Sequence, residues 1–214
     1  YGENGEIIKS GSIINNVGKN IRIAKENTAT IYILQPNGKI WEGGAKSADY
    51  NGGKPSLDWI LKEDGLYVIT TKDQAGNISE EYSITIDNSA PTTESSADKD
   101  LNPTTFSASA PDSTSKISVL TANIYKYDPS HEKAGKDGYY LLKSNSTKTA
   151  AELTLDIASL NLSEGQYYVR YNAKDQAGNI SATKNFNFFV DRTAPSITIK
   201  PESVGSIQDN IFKN

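Results

Sequence analysis

Residues 72–79 read KDQAGNIS, and residues 174–181 read KDQAGNIS again. An identity of this length recurring about a hundred residues on marks a duplicated module, and the period sets the module's size. The match continues outward: Gly65-Leu66-Tyr67 answers Gly165-Gln166-Tyr167 upstream, and Asp87-Asn88-Ser89-Ala90-Pro91 answers Asp191-Arg192-Thr193-Ala194-Pro195 downstream. From that Gly to the repeated Asp the second copy is two residues longer, and from the repeated Asn to the closing Asp it is again two longer. A matched extension on both sides of a turn is what an antiparallel hairpin requires, because two extra residues keep each side chain on its face and one would flip it. DQAGN is therefore expected at the tip of a hairpin joining the last two strands of each module. Asp73 and Asp175 would accept bonds from turn amides there, and Gly76 and Gly178 would take the left-handed position.

The flanking residues alternate with period two. Tyr167, Val169, Tyr171 and Ala173 share one face, as do Phe186, Phe188 and Val190; in the first copy Tyr67 and Ile69 face Tyr82, Ile84 and Ile86. This is the pattern of half-buried strands. Further strands are expected near 6–9, 20–24, 29–35, 39–42 and 56–61, and near 104–109, 117–127, 139–143 and 152–157. About seven short strands per hundred residues, with no helical period, indicates an all-β chain of two tandem Greek-key β-sandwiches. The divisions are 1–88 and 89–192, with 193–214 a linker and the start of a third repeat. Ser196 to Lys200 alternates and then stops, so the tail 196–214 is expected to fray or to swap into another sheet.

Composition removes function classes. The 214 residues hold no cysteine and one histidine, His131, which excludes disulfides, thiolate sites and a multi-histidine zinc site. A net charge of −4 offers no basic face for nucleic acid. No apolar run nears the roughly 20 residues of a membrane span. The chain starts at Tyr1 with no signal peptide, so it reads as an excised or processed piece. The carboxylates show no paired acid/base spacing, and the chain is expected to be non-catalytic.

The pattern G-x-Y, D-x-A-G-N and D-x-S/T-A-P resembles the bacterial immunoglobulin-like repeats of surface adhesins and multidomain secreted proteins. Gly65 to Pro91 carries it in the first copy and Gly165 to Pro195 in the second; Ala110-Pro111-Asp112-Ser113 matches the family's loop between its second and third strands. The first copy departs there, reading Ala24-Lys25-Glu26-Asn27. The resemblance implies a stalk or spacer at the bacterial surface or outside the cell, or alternatively a module that binds a host protein or glycan. It also implies neighbouring repeats as the main partners, and a monomer. Fold alone does not choose among these roles.

Candidate sites follow from that arrangement. Tyr67 and Tyr167 are expected at the sandwich corner, their hydroxyls bonded to backbone. Pro91 and Pro195 stiffen linkers with almost no free length. In this topology the hairpin tip of the second repeat lies beside its Asp112 loop and the incoming linker, so Asp87, Asp112, Asp175 and Asn179 form a candidate calcium site, the one cofactor considered. Asp73, Asn77 and Glu26 would be a weaker equivalent. Trp41 and Tyr50 are candidates for stacking on a sugar, whereas Trp59 alternates with Leu57 and Leu61 and reads as core. The polar run 128–138, with His131, reads as a solvated hairpin loop.

Overall fold

The computed structural model describes residues 6–15, 21–24, 28–44, 56–59, 61 and 63–198. The described residues form fifteen strands and one short 3-10 turn. The first repeat contains β1 (Ser12–Ile14), β2 (Ile21–Ala24), β3 (Thr28–Leu34), β4 (Ile40–Gly44), β5 (Ser56–Trp59), β6 (Gly65–Asp73) and β7 (Tyr82–Ile86). The second contains β8 (Glu94–Ala97), β9 (Thr105–Ser109), β10 (Ile117–Tyr127), β11 (Tyr139–Lys143), β12 (Ser146–Lys148), β13 (Glu152–Asp156), β14 (Gly165–Asp175) and β15 (Lys184–Val190).

Each repeat is two packed sheets. In the first, β1-β7-β6-β3-β4 faces the pair β2-β5; in the second, β11-β10-β14-β15, with β12 beside β10, faces β13-β9-β8. Among the described residues no strand pairing crosses from one repeat to the other. The cores are the alternating residues read from the sequence. Tyr67, Ile69, Ile84 and Ile86 pack with Ile21, Ile31, Ile33 and Leu61 in the first. Tyr167, Val169, Tyr171, Ala173, Phe188 and Val190 pack with Phe106, Leu120 and Ile124 in the second.

The hairpin expectation holds in register. β6 and β7 pair Gly65 with Ile86, and β14 and β15 pair Gly165 with Val190. β14 has 11 residues against 9 in β6, and β15 has 7 against 5 in β7, so the insertion lengthens both arms equally. Gly76 and Gly178 sit at the tips with φ of 95° and 98°, a conformation that a Cβ disfavours.

One expected strand is absent, and β1, β8 and β12 lie outside the expected ranges. Residues 6–9 form no strand; the first strand is β1, which runs parallel to β7. The adjacent Ile7 and Ile8 were a weaker guide than pairing with the exposed edge of β7. β8 was also not anticipated, because Glu94-Ser95-Ser96-Ala97 has no strong strand former; pairing with β9 supplies what propensity does not. The loop 128–138 is a hairpin connection between β10 and β11, but His131 is half-buried, its ring stacked on Tyr140 at 3.7 Å.

Candidate metal centre at the junction of the repeats

The hairpin tip of the second repeat is built by its own side chains. Asp175 Oδ1 accepts the Asn179 amide at 2.8 Å, and Asp175 Oδ2 accepts the Asn179 side-chain amide at 2.8 Å. The first repeat's tip has the same two bonds, Asp73 to Asn77, each at 2.8 Å. Those bonds, with others from the turn, hold the Asp73 carboxyl below its ordinary value. The two tips differ in what meets them. Asp73 and Asn77 face solvent more than Asp175 and Asn179, which are buried.

The linker buries the second tip. Asp87 follows β7 directly, and its amide donates to the Ile14 carbonyl at 3.0 Å, which fixes it to the sheet. Its Oδ1 accepts the Ser89 amide at 3.2 Å, and its carbonyl accepts the Asn179 side-chain amide at 2.8 Å. Asn15, after β1, donates to Asn179 Oδ1. Asp64 clamps the linker from below, accepting the Asn88 amide at 2.9 Å and the Ser89 hydroxyl at 2.5 Å. Asp112, in the loop between β9 and β10, uses Oδ1 to cap the amides of Thr114 at 2.9 Å and Ser115 at 3.0 Å.

These elements bring Asp87, Asp112 and Asp175 together, each with a carboxylate oxygen within 4.8 Å of the others. Asp87 is 0% exposed and Asp175 1%. Asp87 Oδ2, Asp112 Oδ2 and the Ser115 hydroxyl are buried without a hydrogen-bond partner. Buried carboxylate oxygens without protein partners are rare, and each calls for a proton, an ordered water or a cation. Burial pushes the Asp87 carboxyl above its ordinary value; the adjacent Ser115 hydroxyl and the Ser89 amide oppose that rise, and the charges of Asp112 and Asp175 add to it. With all three ionised, mutual repulsion within 4.8 Å costs on the order of 3 kcal/mol per pair at an effective dielectric of about 20. The donors are all hard oxygens, which suits a calcium-type ion and not a thiophilic metal.

All four residues of the candidate calcium set thus meet at one place. Asn15, Ser89 and Ser115 join them and were not anticipated; the pairing of β1 with β7, which places Asn15, carries no signal in its own sequence. Pro91 is buried beside the cluster and Pro195 is exposed. The Tyr67 hydroxyl donates to the Glu63 carbonyl at 3.1 Å and the Tyr167 hydroxyl to the Ser163 carbonyl at 2.7 Å. Trp41 packs half-buried against the first core, its ring lying where a Cβ on Gly43 would be. Trp59 lies on β5, but its side chain, like Tyr50 and Glu26, falls outside the described residues. The tail is described to residue 198, where it is exposed and forms no strand; 199–214 fall outside the described residues. Among the described residues no helix is long and apolar enough to cross a membrane.

No protein-family model and no curated protein matches the chain. Solved structures do. The fibronectin(III)-like modules of Clostridium thermocellum CbhA are 15% identical over 94% of this chain and 99% of theirs, with a TM-score of 0.39. The FN1–FN3 domains of chicken CNTN1 are 12% identical over 85% of this chain and 62% of theirs, at 0.36. A Bacteroides ovatus protein of a mixed-linkage glucan utilization locus, SGBP-B, is 17% identical over 87% of this chain and 45% of its own, at 0.27. The chain is a pair of immunoglobulin- or fibronectin III-like β-sandwich modules, and that rests on its own sheet topology.

Proposed function

We propose that the chain is a non-catalytic pair of stalk repeats from a bacterial surface or secreted protein, adhesins being the leading context, and that calcium stiffens its junction. The observation that supports this is the buried triad Asp87, Asp112 and Asp175, with two unpartnered carboxylate oxygens, drawn from both repeats and the linker between them. A cation held there joins the linker to the tip and loop of the next repeat. Asp87, Asp112 and Asp175 would hold it, with Asn179 orienting Asp175. Calorimetric titration with calcium, read beside small-angle scattering, tests this. The expected result is one site and a narrower spread of interdomain angle with calcium than with EDTA. No heat of binding at millimolar calcium, with scattering unchanged, would overturn it.

A second reading, a glycan-binding module, draws on the outer face of the second repeat. Tyr125 and Tyr168 stack at 4.7 Å, Tyr139 meets Tyr168 at 4.7 Å, and Tyr127 meets Tyr139 at 5.1 Å. Arg170 lies over Tyr125 and Tyr168 at 5.0 and 5.1 Å. Aromatic rings beside a guanidinium that can donate hydrogen bonds suit sugars. A glycan array with wild type and Tyr127→Ala tests it: hits lost in the variant favour this reading, and an array without hits removes it.

A further inference from the structure

A cavity of about 330 Å³ lies in the second repeat, between the ends of β10 and β11 and the segment Leu160-Asn161-Leu162-Ser163 that leads into β14. A shift in the pairing of β10 with β11 shapes it. Lys126 pairs with Tyr140 and Tyr125 with Leu141, but Ile124 pairs with Lys143 and not with Leu142. In regular pairing Lys143 would stand opposite Asn123, on the other side of the sheet. The extra residue re-aims it to the side of Ile124 and Lys126, so both lysines line the cavity. Lys126 Nζ donates to the Ser163 hydroxyl at 2.7 Å. Among the described residues no carboxylate pairs with either lysine. Asp128 stands two residues along, with its Oδ1 taken by the Ser130 hydroxyl at 2.6 Å and the Ser130 amide at 3.1 Å.

The first repeat is the internal control. Glu63 stands there where Ser163 stands here, four residues before the corner tyrosine, and its carboxylate accepts the Asn37 side-chain amide at 2.9 Å. Pro36 packs over Gly65, so that a Cβ on that glycine would come within 2.7 Å of the Pro36 Cβ. Over Gly165 the nearest atom is the Lys126 Cε, at 3.8 Å. One corner is thus acidic and covered by its turn; the other is basic and open. The walls of the open one select a ligand. Tyr140, held parallel to His131 at 3.7 Å, and the leucines at 142, 160 and 162 give it apolar surface. Ser163 and Asn161 add a hydroxyl and an amide. An acidic sugar ring matches all three features: a carboxylate for two ammonium groups, hydroxyls for Ser163 and Asn161, and a C–H face for the apolar wall. A bare carboxylate would use only the first.

We infer that this cavity binds an acidic sugar residue, with its carboxylate held by Lys126 and Lys143. The site depends on neither the junction cation nor the outer tyrosine face. Two-dimensional NMR of the full chain tests it, by titration with glucuronate, N-acetylneuraminate, glucose and acetate at constant pH and ionic strength. Saturable shifts of the Lys126, Tyr140, Lys143 and Ser163 amides are expected with one or both acidic sugars, with no response to glucose and a much weaker one to acetate. Ser163→Glu copies the first repeat's corner and gives Lys126 an internal carboxylate, so it should weaken binding about tenfold or more. K126A/K143A should do the same, and serves if Ser163→Glu disturbs the fold, which the melting curve and the rest of the spectrum report. Lys174→Ala removes an equal charge outside the cavity and should leave binding unchanged. No saturable shift with either acidic sugar, or an equal response to glucose or acetate, would overturn the inference. Binding that survives K126A/K143A would also overturn it, and would move the sugar to the outer face.

Discussion

The side-chain amide of Asn179 in the second repeat donates to the main-chain carbonyl of Asp87 in the first, at 2.8 Å, with both residues buried. The same amide bonds Asp175 Oδ2, so one group both closes its own turn and reads the neighbouring linker. Asn77 closes the first repeat's turn identically on Asp73, with its side chain exposed. The pair separates a turn from a joint. Asn179→Ala should cost about 1–3 kcal/mol, because it leaves buried acceptors unsatisfied, and should broaden the interdomain angle in scattering. Asn77→Ala should weaken only its own hairpin. Equal effects on the angle from both would mean that Asn179 acts as a turn residue alone.

Asp87 predicts a crossing. Burial raises its carboxyl in the folded chain; Ser115 and Ser89 oppose that rise, and the charges of Asp112 and Asp175 add to it. A raised acid favours folding while protonated, so without a cation its contribution is fully present below the unfolded value near 3.9. It is lost as pH rises through the folded value. In EDTA, Asp87→Asn should therefore melt higher than wild type at pH 7, with the gap closing toward pH 4. In calcium the order should reverse, since only the carboxylate holds the ion and an ion bound to the folded form stabilises it. A variant that melts lower than wild type at pH 7 in EDTA would count against a frustrated acid cluster.

The octapeptide and its flanks made the hairpins legible, because period-two alternation and a matched insertion leave one consistent register. The loop at Asp112 and the tip at Asp175 and Asn179 were legible for the same reason: topology puts both at one end of a sandwich. β1 and β8 were not. Each is short, and each exists because an edge of β7 or β9 is available, which is information held elsewhere in the chain. Asn15 and Ser115 were missed with them, since a short polar residue at a loop carries no mark of the partner it will meet.

Gly178 has φ of 98° and nothing within 4 Å of where a Cβ would stand. Any cost of Gly178→Ala is thus conformational and not steric, about 1 kcal/mol. For a repeat of this size that lowers the melting temperature by roughly 4–8 °C. Gly178→Asn should recover part of it, because Asn tolerates the left-handed region. A silent Gly178→Ala would show that the tip relaxes to another turn.

Tyr67 and Tyr167 allow the repeats to be unfolded one at a time. Each hydroxyl donates to the carbonyl four residues upstream, Tyr67 at 3.1 Å and Tyr167 at 2.7 Å, and Tyr67 also accepts the Glu63 amide at 3.1 Å. Replacing either by Phe removes a part-buried bond worth about 1 kcal/mol and leaves the ring packing intact. The chain's two tryptophans, Trp41 and Trp59, both lie in the first repeat. Tryptophan fluorescence in urea therefore follows the first repeat, while far-ultraviolet dichroism follows both. In EDTA, Tyr67→Phe should lower the fluorescence midpoint, and Tyr167→Phe should shift only a dichroism component. Equal movement of both signals by either variant would mean that the junction alone couples the sandwiches into one cooperative unit.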